Sequence, residues 1–239
     1  MNTRSRDFGN SHIFGSREIL ATAWITAALL ILFPVTRILG GSFPIFSLIW
    51  LVVSLVALLR RRDSSQLGVL PIGWIEFLQN TCLNLAGSLA LMMCFEPWSH
   101  TYRVLYTEAI SGAHLDTTFG WLARFPGLTG WIGFVLFSGL VTLFAEELFF
   151  RGWLLHWLQI RMSSGKAVLV QATLFAIPQL LAATLLPPMQ GILYALFYAW
   201  LAIGLIGGWV AYRTQSIWPS LTSATICNLI MVIFITRSI

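Results

Sequence analysis

About seven apolar stretches, each close to the length of a membrane-crossing helix, recur along this chain and leave it few ways to fold. They run at about 18–38, 43–60, 71–95, 130–158, 166–187, 190–212 and 217–236, and a spanning helix needs roughly 20 apolar residues. In lipid, backbone N–H and C=O groups must bond within their own segment, so such runs fold as helices. Composition agrees: 57% of residues are hydrophobic and 10% charged, with a mean hydropathy of +0.80, where a soluble domain carries about a quarter charged residues. The sequence therefore predicts an all-α integral membrane protein, a multi-pass bundle of about seven transmembrane helices. The first stretch follows Arg4, Arg6 and Arg17, but no small-residue cleavage site follows it and further spans do, so it is expected to be a retained helix rather than a signal peptide.

Fourteen Lys and Arg face nine acidic residues. In a membrane protein that excess serves orientation rather than nucleic-acid binding, so no nucleic-acid partner is expected. With the N-terminus inside, the inner segments hold Arg4, Arg6, Arg17, Arg60, Arg61, Arg62, Arg161, Lys166 and Arg213, and the outer ones Arg37, Arg103, Arg124 and Arg237. The positive-inside rule favours that orientation. The expected organisation is a cytoplasmic tail over 1–17 and a single membrane domain over 18–239. Residues 96–129 form the long outer connection, whose aromatic and charged residues suit the membrane interface. Cys82, Cys94 and Cys227 all lie in apolar segments without metal-like spacing and read as inert core residues.

One stretch breaks the apolar pattern. "FAEELFFRGW", residues 144–153, places two carboxylates and an arginine inside the fourth segment, where each charge costs on the order of 3 kcal/mol at the bilayer centre. On a helix, Glu147 and Arg151 are four apart, with the acid N-terminal to the base, the better order for an ion pair. Each offsets the burial of the other, so packing alone accounts for them. Glu146 lies about 100° further round the helix and is left without its own counter-charge. A carboxylate in that position has the character of a general base. A second polar stripe, Glu76, Gln79, Asn80 and Asn84, repeats on one face of segment 71–95. It is expected to face other helices or water, either as interhelical glue or as the lining of a cavity.

These residues resemble a known family. "EELFFRG" is similar to the E-E-x-x-x-R motif of the CPBP intramembrane proteases, also called Abi or CAAX-prenyl-endopeptidase-like proteins. Downstream, "LFAIPQ" (174–179) stands where the family carries F-x-x-x-H, and "GGWVAYRTQSIWPSLTSATICN" (207–228) resembles the stretch leading to its H-x-x-x-N. The likeness covers about 130–235. It implies that Glu146 activates a water, that Glu147 and Arg151 support it, that Phe175 is the motif-two aromatic, and that Asn228 donates to an oxyanion. The two motif histidines are replaced, by Gln179 and Ala224.

That replacement sets the chemistry. A glutamine holds a water by hydrogen bonds but exchanges no proton with it at neutral pH, and an alanine side chain donates nothing. His156 lies nine residues beyond Glu147, about half a turn round and 13 Å along the axis, and His12, His100 and His114 lie outside the helical segments of the site. No histidine has H-x-x-x-H or H-E-x-x-H spacing, so neither a metal nor a cofactor is expected. Two functions remain open. One is an intramembrane endopeptidase, in which glutamate-activated water attacks a peptide bond of a membrane-embedded protein or peptide. The other is an inactive pseudoprotease, a subunit, chaperone or scaffold that binds a membrane protein or lipid partner in the bilayer. A transporter is less well supported, since the buried acids cluster at one depth and no inverted repeat is present.

Overall fold

The structure, a computed structural model, describes residues 50–56, 68–69, 71–93, 125, 127–183 and 186–237. All of them fall in the compact unit Gly41–Ile239. The tail 1–17, the segment 18–38 and the outer connection over 96–124 lie outside the described residues, and segment 43–60 is described only over 50–56.

Every described element is helical, and we number them α1 (50–56), α2 (Trp74–Met93), α3 (128–159), α4 (Ser164–Ala183), α5 (Pro188–Thr214) and α6 (Trp218–Arg237). The last five coincide with expected apolar segments to within a few residues. Helices α3 and α5 contain long stretches of wider, π-type turns, Val135–Leu143, Glu147–Leu154 and Tyr194–Ile206. Such turns are rare and tend to occur at functional sites. Among the described helices, α5 is the one long and apolar enough to cross a membrane by length and composition. The site helix α3 carries Glu146, Glu147 and Arg151, which lower its apolar character.

Short connections fix the directions. Residues 160–163, 184–187 and 215–217 leave room only for tight reversals, so α3 and α5 run one way and α4 and α6 the other. Proline begins α5: Pro187 is extended (φ −51°, ψ 143°) and Pro188 takes the first helical position, where its missing N–H costs nothing. At the far end Gln215 stops the helix in the left-handed region, φ 52°, a helix C-terminal role more often taken by Gly. The chain then turns at once into α6. That turn is held by the Ile217 N–H donating to Gly68 O at 2.9 Å and by the Trp218 indole donating to Val69 O at 2.8 Å.

Close helix packing relies on small residues. Ala172 of α4 and Ala199 and Ala202 of α5 are all 0% exposed, and Gly204 sits opposite Ala172. A Cβ on Gly204 would lie 2.8 Å from Ala199 O and 3.2 Å from both Cβ and O of Ala172. Alongside the apolar core, several polar side chains are buried and several large apolar ones are exposed. Asn80, Asn84, Ser88, Glu147, Arg151, Gln171, Ser220 and Ser223 are buried, while Leu128, Ile132 and Leu136, one helical row of α3, and Met189, Ile192 and Leu196 of α5 are exposed.

One sequence expectation is resolved in detail and another is corrected. The polar row of α2 divides: Asn80 and Asn84 are buried and continue into Thr81 and Ser88, whereas Glu76 and Gln79 are exposed. Glu76 and Gln79 line an open recess with Trp74 and Arg213 at the end of the bundle. The row runs past the packed region, so its first turn emerges from it. Cys82 is exposed rather than in the core, while Cys227 is buried. Two residues along from Asn80, Cys82 lies about 200° round the helix and points away from the neighbours that bury Asn80.

Gly204→Ala should force α4 and α5 apart and lower stability by about 1–3 kcal/mol, the usual cost of overpacking, read as a fall in Tm in detergent micelles. An unchanged Tm would mean that the two helices do not approach this closely.

Candidate functional site

The expected ion pair is formed. Arg151 Nη1 donates to Glu147 Oε1 at 2.5 Å, with both side chains 1–2% exposed. One pair does not satisfy two buried charged groups, and the rest of the shell comes from other helices. Ser220, in the first turn of α6, donates its hydroxyl to Glu147 Oε2 at 2.5 Å. Arg151 Nη2 donates to the backbone carbonyl of Ile203 on α5 at 2.6 Å. The guanidinium carbon lies 4.3 Å from the centre of the Phe175 ring of α4, within cation–π range.

The carbonyl of Ile203 is reachable because Gly207 follows it by four residues. Side chains on a helix lean toward its N-terminus and cover the preceding turn, and a Cβ on Gly207 would lie 3.2 Å from Arg151 Nη2. The neighbouring Gly208 leaves the space that the Gln171 side chain occupies. Gln171 is 0% exposed, and neither its Oε1 nor its Nε2 has a hydrogen-bond partner among the described residues; the same is true of Arg151 Nε. Phe175 is also packed edge-on against Phe150 at 5.2 Å, and Trp50 of α1 covers Phe149 and Phe150 at 6.0 and 5.2 Å. The Glu147–Arg151 centre is thus enclosed by aromatic rings and helix backbone.

Glu146 is different. It is half-buried and makes no hydrogen bond or ion pair with another described residue. Arg151 reaches it only through space. The other expected residues can be placed by helix register. Gln179 lies one turn beyond Phe175, roughly 6 Å along α4. Since α4 runs opposite to α3, that step leads from the guanidinium toward the level of Glu146. On α6, Ala224 and Asn228 follow Ser220 by one and two turns, roughly 6 and 12 Å, in the same direction. Both are buried, at 6% and 9% exposure. Glu146, Gln179, Ala224 and Asn228 therefore all lie on one side of the ion pair, with Asn228 farthest along. Glu147, Arg151 and Phe175 are in direct contact; Glu146, Gln179 and Asn228 share no hydrogen bond with one another.

Three contributors escaped the sequence reading. Ser220 lies within the quoted motif-three stretch, but nothing in its spacing says that it meets Glu147. Ile203 contributes only a backbone carbonyl. Tyr194, at the start of the π-type turns of α5, is 7% exposed and donates its hydroxyl to Gln179 Oε1 at 3.3 Å. Helical periodicity places it on an apolar helix and gives no hint of its partner.

The arrangement is that of an all-helical protein built round a buried Glu–Arg centre, with a second glutamate beside it. Residues 128–230 match the family described as type II CAAX prenyl endopeptidase Rce1-like, whose members are membrane proteins. The match begins with α3 and runs into α6, so it includes each of the three stretches that carry the CPBP resemblance, and it bears that resemblance out. No curated protein and no solved structure gives a significant match to the chain.

Removing Glu147 leaves Arg151 buried without its counter-charge, so Glu147→Ala should cost about 3–5 kcal/mol and reduce the yield of folded protein, whereas Glu146→Gln should fold normally. Equal losses would mean that both acids are structural. Gln171→Met keeps the shape of the side chain and removes an amide without partners; it should raise stability by about 1–3 kcal/mol, measured by thermal unfolding, and a fall would reveal a partner for that amide.

Proposed function

We propose that the chain is an intramembrane endopeptidase of the CPBP type, with about seven spans and its N-terminus inside. The single observation that carries the reading is the division of labour between the adjacent glutamates. Glu147 is fully engaged by Arg151 and Ser220. Glu146, next to it and half-buried, makes no hydrogen bond or ion pair among the described residues, and helix register puts Gln179 toward its level of the bundle. Burying a carboxylate without a partner is costly, and catalysis is a reason to keep one. The membrane placement is supported by the family that residues 128–230 match, by the apolar length of α5 and by the exposed apolar rows of α3 and α5.

In this reading Gln179 holds a water beside Glu146. The carboxylate takes one proton from that water as its oxygen bonds to the carbonyl carbon of the scissile amide. Asn228 donates to the carbonyl oxygen as it becomes an oxyanion. The C–N bond then breaks, and the proton on Glu146 passes to the leaving amine. No metal or cofactor takes part. The substrate is a peptide segment within or at the membrane, and the name of the matched family makes a prenylated CAAX peptide the first probe.

The second reading, a pseudoprotease that binds a membrane protein or lipid partner, is favoured by one specific observation. The positions of both motif histidines hold Gln179, already occupied by Tyr194, and Ala224, which is buried. The two readings part on one pair of variants. The purified protein should cleave a fluorogenic prenylated CAAX peptide, and Glu146→Gln should abolish cleavage. Restoring both histidines, Gln179→His with Ala224→His, should raise the rate by about 10²-fold or more, by the usual worth of an acid–base partner and an oxyanion donor. A binding protein would show no cleavage in any form, and the double variant would lose about 1–3 kcal/mol of stability by overpacking at Ala224.

A further inference from the structure

We propose that Tyr194 is the positioning residue of this site: its hydroxyl fixes the Gln179 amide so that the amide N–H groups, not its oxygen, face the water beside Glu146. The inference rests on the hydrolytic reading above and concerns what makes a glutamine serviceable there. An amide presents an oxygen on one edge and two N–H donors on the other, and a free amide turns either edge to a neighbouring water. A water that gives one proton to Glu146 and uses one lone pair for attack is best held by a donor to its remaining lone pair. The amide must therefore be locked one way round.

Tyr194 supplies that lock. In the structure the Tyr194 hydroxyl donates to Gln179 Oε1 at 3.3 Å, and that bond occupies the amide oxygen. The Nε2 group then points away from Tyr194. The phenol is itself held firmly: Tyr194 is 7% exposed, packs with Ala183, Leu186 and Ala195, and has the Tyr198 ring 5.1 Å away. Gln179 is displaced along α4 toward the level of the Glu146 carboxylate, so the three groups gather on one side of the Glu147–Arg151 centre. In this role Tyr194 acts through Gln179, to which it is bonded.

The test uses the full chain in nanodiscs with a fluorogenic prenylated CAAX peptide, recording kcat, KM and Tm together. Cleavage by the unmodified protein that is lost in Glu146→Gln establishes the reading on which the inference rests. Tyr194→Phe, which removes only the hydroxyl, should then lower kcat by about 10- to 100-fold, the scale of a small misplacement of a reacting group, with KM and Tm little changed. Gln179→Ala should lower kcat similarly, and the double variant should be no slower than Gln179→Ala alone, because both act through one amide. A wild-type kcat in Tyr194→Phe, or two losses that multiply in the double variant, overturns the role of Tyr194 and leaves the hydrolytic reading standing. A Tyr194→Phe protein that unfolds makes the hydroxyl structural and overturns it also. No cleavage by the unmodified protein, or cleavage that survives Glu146→Gln, overturns the hydrolytic reading and this inference with it.

Discussion

The ion pair between Glu147 and Arg151 is the interaction round which the described helices are arranged. Two charges on one helix turn neutralise each other, but a buried carboxylate has a second oxygen to satisfy and a guanidinium has several N–H groups. Those remaining demands reach outward: to Ser220 on α6, to the carbonyl of Ile203 on α5, and to the ring of Phe175 on α4. A pair that would be a local affair on an exposed helix becomes, when buried, the common attachment point of four helices. A buried pair of this kind adds little net stability, because desolvation offsets attraction; its value lies in specifying which elements meet.

That attachment requires backbones to come close, and small residues allow it. Gly207 opens the Ile203 carbonyl to the guanidinium, Gly208 admits Gln171, and Gly204 lets α4 approach α5. In lipid there is no water to expel between helices, so association depends on close contact and on polar groups bonded across the interface. The buried polar side chains and exposed leucines and isoleucines of this bundle follow that logic.

With Glu147 bound into the scaffold, its neighbour Glu146 makes no hydrogen bond or ion pair among the described residues. Adjacent residues on a helix point about 100° apart, and the same turn therefore offers one carboxylate to the ion pair and another to the space beyond it. By helix register Gln179 and Ala224, the positions that the family resemblance gives to its histidines, lie on that side of the ion pair. One of them, Gln179, accepts a hydrogen bond from the Tyr194 hydroxyl.

Periodicity alone determined a good deal. The helical class, the limits of α2 to α6 to within a few residues, and the Glu147–Arg151 pair follow from spacings of one to four residues, and helix geometry turns such spacings directly into positions. The resemblance carried by three short motifs named Glu146, Gln179 and Asn228 as candidate site residues. Only the tertiary structure decided that Ser220 and Ile203 complete the ion pair, that Tyr194 holds Gln179, and that the α2 polar row divides into buried Asn80 and Asn84 and exposed Glu76 and Gln79. Tyr194 and Gln179 are 15 residues apart and Ser220 and Glu147 are 73 apart. At such separations the partner is chosen by how helices pack and in what register, and a one-dimensional pattern carries no record of that choice.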